Sequence, residues 1–244
     1  MTNTNFKVYK LETRHDFITY LRFLIVTAHK QVIQYRKYIK ELKEKIEELN
    51  LIQEEVKYFK GEIYDEFRDK LGFISLGLLN IFADETNTAA SYRKFRKLIE
   101  RRKEIDCFGL KDLPEDIKSI ISQFNNNRNW SAHIPESIIH AQLEVIEKYN
   151  GAETKKELVN KYNPITAYMY LHYDKKWLFS LFDESSHMYE GYRRVLQQMK
   201  KDYSILIGES VEIFSEYPEE ARSFDEDIEI PIISMDMQNK KYKK

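Results

Sequence analysis

The sequence predicts an all-α protein: a helical bundle with a long N-terminal helix and a short, irregular or β-like C-terminal tail. Only 7 glycines and 5 prolines occur among 244 residues, of which 32% are charged. Few turn-forming residues and many helix formers are typical of long helices. The length fits one large domain or a core domain with an appended element. We divide the chain into an N-terminal, coiled-coil-like element (1–61), a bundle (62–208) and a tail (209–244).

The N-terminal element carries a heptad pattern. Residues 14–60 contain no glycine or proline, and their apolar residues recur at steps of four and three, as on a helix with one apolar seam. The pattern fits one very long helix or an antiparallel pair broken near Asn50. Because an exposed seam is unfavourable, we expect it to pack on the rest of the chain or on a second copy. The seam consists of Leu21, Ile25, Ala28, Val32, Tyr35, Ile39, Leu42, Ile46 and Leu49.

Further helices follow, separated by the few breaking signals. Gly61 ends the first element, Asp84 to Thr88 predict a turn, and Pro114 suits the first turn of a fourth helix. After Gly208 the chain becomes acidic and then β-branched, which predicts a tail that pairs as a short strand, docks on a partner or stays loose. The predicted helices cover 62–82, 89–105, 114–124, 135–150, the stretch after 163, and 175–207 as one or two helices.

Composition excludes several classes of protein. The net charge is -1, with 39 basic and 40 acidic residues, so any anion site must be local. The single cysteine, Cys107, excludes an internal disulfide framework and favours a reducing compartment. The N-terminus lacks the apolar run of a signal peptide, and the longest apolar stretch, 71–82, is too short to span a bilayer. We therefore expect a cytoplasmic protein that does not enter a membrane.

One segment carries a chemical signature, the six residues RNWSAH from Arg128 to His133. An imidazole exchanges protons near neutral pH, and a guanidinium stabilises charge on a phosphate. Asn129 can hold either side chain or a phosphate oxygen. In an unbroken helix Arg128 and His133 would lie about 140° apart, so we expect a break, supplied by Asn125 to Asn127 and by Pro135.

The segment resembles the Arg-x4-6-His motif of HEPN domains, whose common Arg-Asn-x-x-x-His form matches Arg128, Asn129 and His133. HEPN domains are helical bundles found among toxins, abortive-infection systems and CRISPR-associated nucleases. The resemblance implies a metal-independent endoribonuclease, acting in toxicity or antiphage defence, in which His133 does acid-base work and Arg128 stabilises the transition state. Arg22 and His29 also fit the spacing, but they lie in the uninterrupted heptad helix, where no cleft is expected.

The resemblance also implies partners. HEPN domains dimerise so that two copies of the motif face one cleft, which predicts a homodimer with a composite active site and RNA as the substrate. No cofactor or metal ion is implied. An antitoxin or other protein partner is possible, although Pro135 stands where some HEPN toxins carry a tyrosine that a nucleotidyltransferase antitoxin modifies.

A basic stretch in the third predicted helix is a second candidate for RNA contact. Cations with interspersed aromatic residues can follow an RNA backbone, although such a run is more often the solvated face of a helix. The alternative for the whole chain is a non-catalytic helical interaction protein whose heptad helix and tail dock a partner. The candidate RNA-binding residues are Arg93, Arg96, Lys97 and Arg101.

Overall fold

The computed structural model describes residues 9–86, 89–102, 108–132 and 171–213, together with positions 140, 144, 147, 148 and 240. The all-α prediction is confirmed, because helices dominate and the sheet has two short strands. No helix in these residues is long and apolar enough to cross a membrane. The elements are α1 (Arg14–Glu48), β1 (Tyr58–Lys60), α2 (Gly61–Ala83), α3 (Tyr92–Arg102), α4 (Glu115–Ala132), β2 (His172–Asp174) and α5 (Lys175–Ile207).

Four helices form an antiparallel bundle in which α1 packs on α2 and α5, and α4 packs on the other side of the same two helices. The side chain of Arg14 donates to the carbonyl of Leu206 at 2.8 Å, while Tyr35 meets Tyr192 further along, so α1 and α5 run in opposite directions. The shorter helix α3 packs on α1 and α2. One continuous core therefore connects the five helices of the described residues.

Helix α1 confirms the heptad seam, since seven of its nine predicted residues are buried and the other two are partly buried against the core. The Thr13 side chain and the Asp16 carboxylate cap its start reciprocally, and Asn50 ends it in the left-handed region with φ 52°. The seam packs on α2 and α5 of the same chain. The boundary predicted at residue 61 therefore does not coincide with a gap in the core.

A two-stranded ribbon lies at the N-terminal ends of α2 and α5, each of which directly follows one of its strands. The sequence does not predict this ribbon. Tyr58 pairs with Asp174, and Phe59 pairs with Tyr173, in antiparallel register. Strands of three residues leave too short a pattern for recognition. Gly61, expected to end the first element, instead begins α2 directly after β1. The segment 175–207 is one helix, which the Asp174 side chain caps at its start and Gly208 ends.

Three predicted segments fall largely outside the described residues. These are the helices expected over 135–150 and after 163, and the tail beyond 213. Helix α3 is shorter at its start than the predicted 89–105, because Ser91 caps it by accepting from the Lys94 backbone N–H at 3.1 Å.

Two helical glycines give a test of the packing. A Cβ at Gly72 would meet nothing within 4 Å, whereas one at Gly191 would lie 3.0 Å from Cζ of the buried Phe124. Gly72→Ala is therefore expected to raise the free energy of unfolding by about 0.5–1 kcal/mol. Gly191→Ala should lose this gain, because α4 and α5 must move apart. Thermal unfolding measures both, and equal gains would contradict the close packing at Gly191.

Candidate active site

The candidate catalytic segment begins in the last turns of α4, which runs without interruption to Ala132. The break predicted at Asn125 to Asn127 is therefore wrong: these residues are helical. The other predicted break, at Pro135, and the candidate base His133 lie outside the described residues. The structure accordingly places Arg128 and Asn129, one turn before the end of α4.

Packing on both neighbours explains why α4 continues through three asparagines. The ring of Phe124 lies 5.9 Å from that of Phe82 on α2 and 5.0 Å from that of Tyr192 on α5. Gly191 leaves room for this approach. Asparagine is a weak helix former, but its disadvantage is a fraction of a kcal/mol, roughly 0.5, and tertiary contacts of this kind exceed it.

The Arg128 guanidinium is held by two side chains of the α2 end. Its Nε donates to Oδ1 of Asn80 at 2.9 Å, and its Nη2 donates to Oδ2 of Asp84 at 3.0 Å. The side chains of Arg128 and Asp84 are only 12% and 10% exposed. Nη1 donates a longer bond of 3.4 Å to Oδ1 of the exposed Asn129. We call this group, Asn80, Asp84 and Arg128, the arginine clamp.

The acidic member of the clamp is itself fixed. Oδ1 of Asp84 accepts from the backbone N–H of Thr86 at 2.8 Å, and its carbonyl accepts from the hydroxyl of Ser91. The backbone N–H of Ser91 in turn donates to the hydroxyl of the buried Tyr20 at 3.0 Å. Contacts to α1 and α3 thus set the position of the carboxylate that orients Arg128.

The clamp engages part of the donor set of Arg128. A guanidinium has five N–H donors in a planar fork, and Asn80, Asp84 and Asn129 each accept from one of them. The remaining donors lie on Nη1 and Nη2, beside the Asn129 amide, whose NH2 group can also donate. A phosphate held there would meet a cation whose rotamer is already selected, which lowers the entropic cost of binding.

The four candidate RNA-binding residues of α3 do not share one surface. Lys97 and Arg101 are exposed, and Arg93 is partly exposed with its Nε 2.7 Å from Oε1 of Glu85. The prediction that Arg96 binds RNA is wrong, because this residue is 3% exposed and its Nη1 lies 2.9 Å from Oδ2 of Asp202 on α5. It is a structural residue of the core.

Asp202 gathers the polar groups that fix α3 on α5. Besides Arg96, its carboxylate accepts from the hydroxyl of Tyr92 at 2.6 Å and from Nε2 of Gln198 at 2.9 Å. Burial, reinforced by the nearby Asp202 charge, raises the pKa of Tyr92 well above its usual value, so the phenol remains the donor. Arg96 also donates to the carbonyl of Lys111, which ties in the segment before α4.

Sequence reasoning missed Asn80 and Asp84, and one signal could have found the aspartate. Asp84 is the residue that ends α2, where the negative end of the helix dipole disfavours an acid. A carboxylate at that position after an apolar helix predicts a compensating cation from a neighbouring helix. Asn80 has no such signature, because its role depends on where α4 crosses α2.

The comparisons with known proteins gave no match. This holds for protein-family models, for curated proteins and for solved structures. The motif residues and the clamp are therefore the features that bear on function. No group of three or more histidine, cysteine, aspartate or glutamate side chains suited to a metal ion occurs in the part of the chain that the structure describes.

Proposed function

We propose that the protein is a metal-independent endoribonuclease of HEPN type that acts as a toxin or antiphage defence effector. The observation that carries the proposal is the arginine clamp. The clamp holds a largely buried guanidinium in one orientation in the last turns of α4, five residues before His133. Asn129, the second residue of the motif, contacts the same guanidinium.

The proposed reaction is an internal transfer at one RNA phosphate. A histidine removes the proton of the ribose 2′-hydroxyl, the 2′-oxygen bonds to phosphorus, and the bond from phosphorus to the 5′-oxygen breaks. The leaving 5′-oxygen takes up a proton, and the products are a 2′,3′-cyclic phosphate and a 5′-hydroxyl. Arg128 stabilises the extra charge on the phosphate oxygens. This balance requires no metal ion and no second substrate.

A homodimer would supply both proton-transfer groups. One imidazole cannot remove one proton and deliver another in the same step, whereas two facing copies of the motif provide two copies of His133. Each copy would also bring one arginine clamp, so that the phosphodiester lies between two guanidinium groups. A composite site of this kind is what the HEPN resemblance implies.

The experiment is RNA cleavage in EDTA. The wild-type chain should cut a mixed RNA pool, and His133→Ala should abolish the cleavage, because no other group of the motif titrates near neutral pH. His172→Ala is the matched control, since this histidine is exposed in β2, and it should cut like wild type. Light scattering on the same samples should give the mass of a dimer. Absence of cleavage by the folded wild-type chain, or equal cleavage by both variants, would reject the proposal.

A non-catalytic helical interaction protein is the second candidate. The ion pair between Arg128 and Asp84 joins α4 to α2, and this structural role would account for the clamp without catalysis. Three apolar side chains on the outer face of α1 are also exposed: Phe23, Val26 and Ile33. If the folded protein cuts no RNA and remains a monomer, this candidate is favoured.

A further inference from the structure

Helix α3 presents a row of cations to solvent. Arg93, Lys97 and Arg101 recur every four residues, so they lie on one side of the helix with about 6 Å of rise between successive positions. The opposite side is anchored in the core by Tyr92 and Phe95, both fully buried. We call the three exposed or partly exposed cations the α3 row. The backbone of α3 is therefore fixed, while the charged ends of the three side chains face outward.

The α3 row borders a depression of about 110 Å³ with a local excess of positive charge. Four cations and one carboxylate line it, in a chain whose net charge is -1. Such an excess along successive turns of one helix creates a positive potential that attracts anions. The lining residues are Glu85, Arg93, Lys94, Lys97, Leu98 and Arg101.

Like charges are close together along α3. Lys97 has a cation four residues before it and another four residues after it, and each like-charged pair costs roughly 0.2–0.5 kcal/mol, part of which Glu85 beside Arg93 and Glu100 three residues after Lys97 offset. The outer face of α1 shows the opposite pattern, with a glutamate four residues after each of three lysines. A bound polyanion would relieve the repulsion on α3. The α1 pairs are Lys37–Glu41, Lys40–Glu44 and Lys43–Glu47.

The α3 row begins beside the arginine clamp. Asp84 holds Arg128 at 3.0 Å, and the next residue, Glu85, holds Arg93 at 2.7 Å. Asp84 and Glu85 are consecutive residues, whose Cα atoms are about 3.8 Å apart, so the carboxylates that pair with Arg128 and Arg93 lie in one short turn. From this turn the row runs along α3 away from Arg128. An extended strand could therefore touch the clamp and the row together.

We propose that the α3 row binds the sugar-phosphate backbone of single-stranded RNA and leads that strand to Arg128. One helical turn between successive cations is comparable to the spacing of phosphates along an extended strand, so each cation faces a separate phosphate. The substrate class and the direction of the strand rest on the proposed function. Binding itself does not require cleavage, and it can be measured without it.

The test is fluorescence anisotropy with a labelled single-stranded RNA of about ten nucleotides, in EDTA, at several salt concentrations. All proteins carry His133→Ala so that no RNA is cut. Combining Arg93→Gln, Lys97→Gln and Arg101→Gln is expected to raise Kd at least tenfold. The salt dependence of log Kd should fall by about 2, since each phosphate contact to a single strand contributes roughly 0.7.

The matched control removes the same number of charges from the outer face of α1. It should leave Kd and the salt dependence close to those of the parent. Equal weakening by both triple variants, or no RNA binding by the parent, would overturn the proposal. If RNA binds through the α3 row but the wild-type chain does not cleave RNA, only the nuclease proposal is rejected. If the wild-type chain cleaves RNA but the α3 triple variant binds RNA as well as its parent, only the α3 row proposal is rejected. The control substitutions are Lys37→Gln, Lys40→Gln and Lys43→Gln.

Discussion

Asp202→Ala is expected to lower the free energy of unfolding by about 3–5 kcal/mol, the cost of leaving one partner of a buried ion pair without the other. The Arg96 and Asp202 side chains are 4% and 2% exposed, so water cannot replace the lost carboxylate. The Tyr92 hydroxyl and the Gln198 amide lose their acceptor as well. Chemical denaturation with matched m-values measures the loss.

The surface pair of Asp116 and Arg194 is the matched control, because it also joins two helices but is about half exposed. Asp116→Ala should cost no more than about 1 kcal/mol. The double variant Arg96→Met/Asp202→Leu should recover part of the loss, since neither charge is then stranded. If Asp202→Ala were as mild as the control, the buried pair would not be what fixes α3 on α5.

Asp84→Asn is expected to reduce kcat for RNA cleavage by about 10²-fold. The substitution keeps the shape and the acceptor for Thr86 but removes the charge that orients Arg128, and small misplacements of a catalytic group have effects of this size. KM should change little, because the α3 row is untouched. Steady-state kinetics well below the unfolding temperature separate this from a loss of folded protein.

The control for this prediction is a different substitution of the same residue, Asp116→Asn, which neutralises a carboxylate on α4 that pairs with Arg194 on α5. It should leave kcat unchanged. An Asp84→Asn variant that cleaves RNA with wild-type kcat would mean that the clamp only joins α2 to α4. In that case RNA cleavage would not depend on the orientation that Asp84 gives to the Arg128 guanidinium.

Much of the fold follows from periodicity. The seam of α1 is recognisable because its steps of four and three continue for eight turns without a glycine or proline, and tertiary packing then uses the same residues. The 175–207 helix follows from its apolar content and from Gly208, which takes φ 81°. These signals are local, so they can be recognised without knowing which elements each helix packs against.

Features that depend on neighbours were not predictable. The helix continues through Asn125 to Asn127 because Phe124 and Arg128 are fixed on either side of them, which composition does not reveal. Arg96 has the same charge and helix as Lys97, yet it points to Asp202, more than a hundred residues later. Asp84 leaves a signal in the sequence as an acid at the end of a helix, whereas Asn80, which accepts from the same guanidinium, is identified only by the packing of α4 on α2.

The most direct test is the chemistry of the RNA ends. Products made by the wild-type chain in EDTA should carry 2′,3′-cyclic phosphate and 5′-hydroxyl termini by mass spectrometry. Arg128→Lys, which keeps a cation but not the planar fork, should form them at least about 10²-fold more slowly while remaining folded by circular dichroism. Products with 3′-hydroxyl and 5′-phosphate ends, or full-rate cleavage by folded Arg128→Lys, would contradict the account.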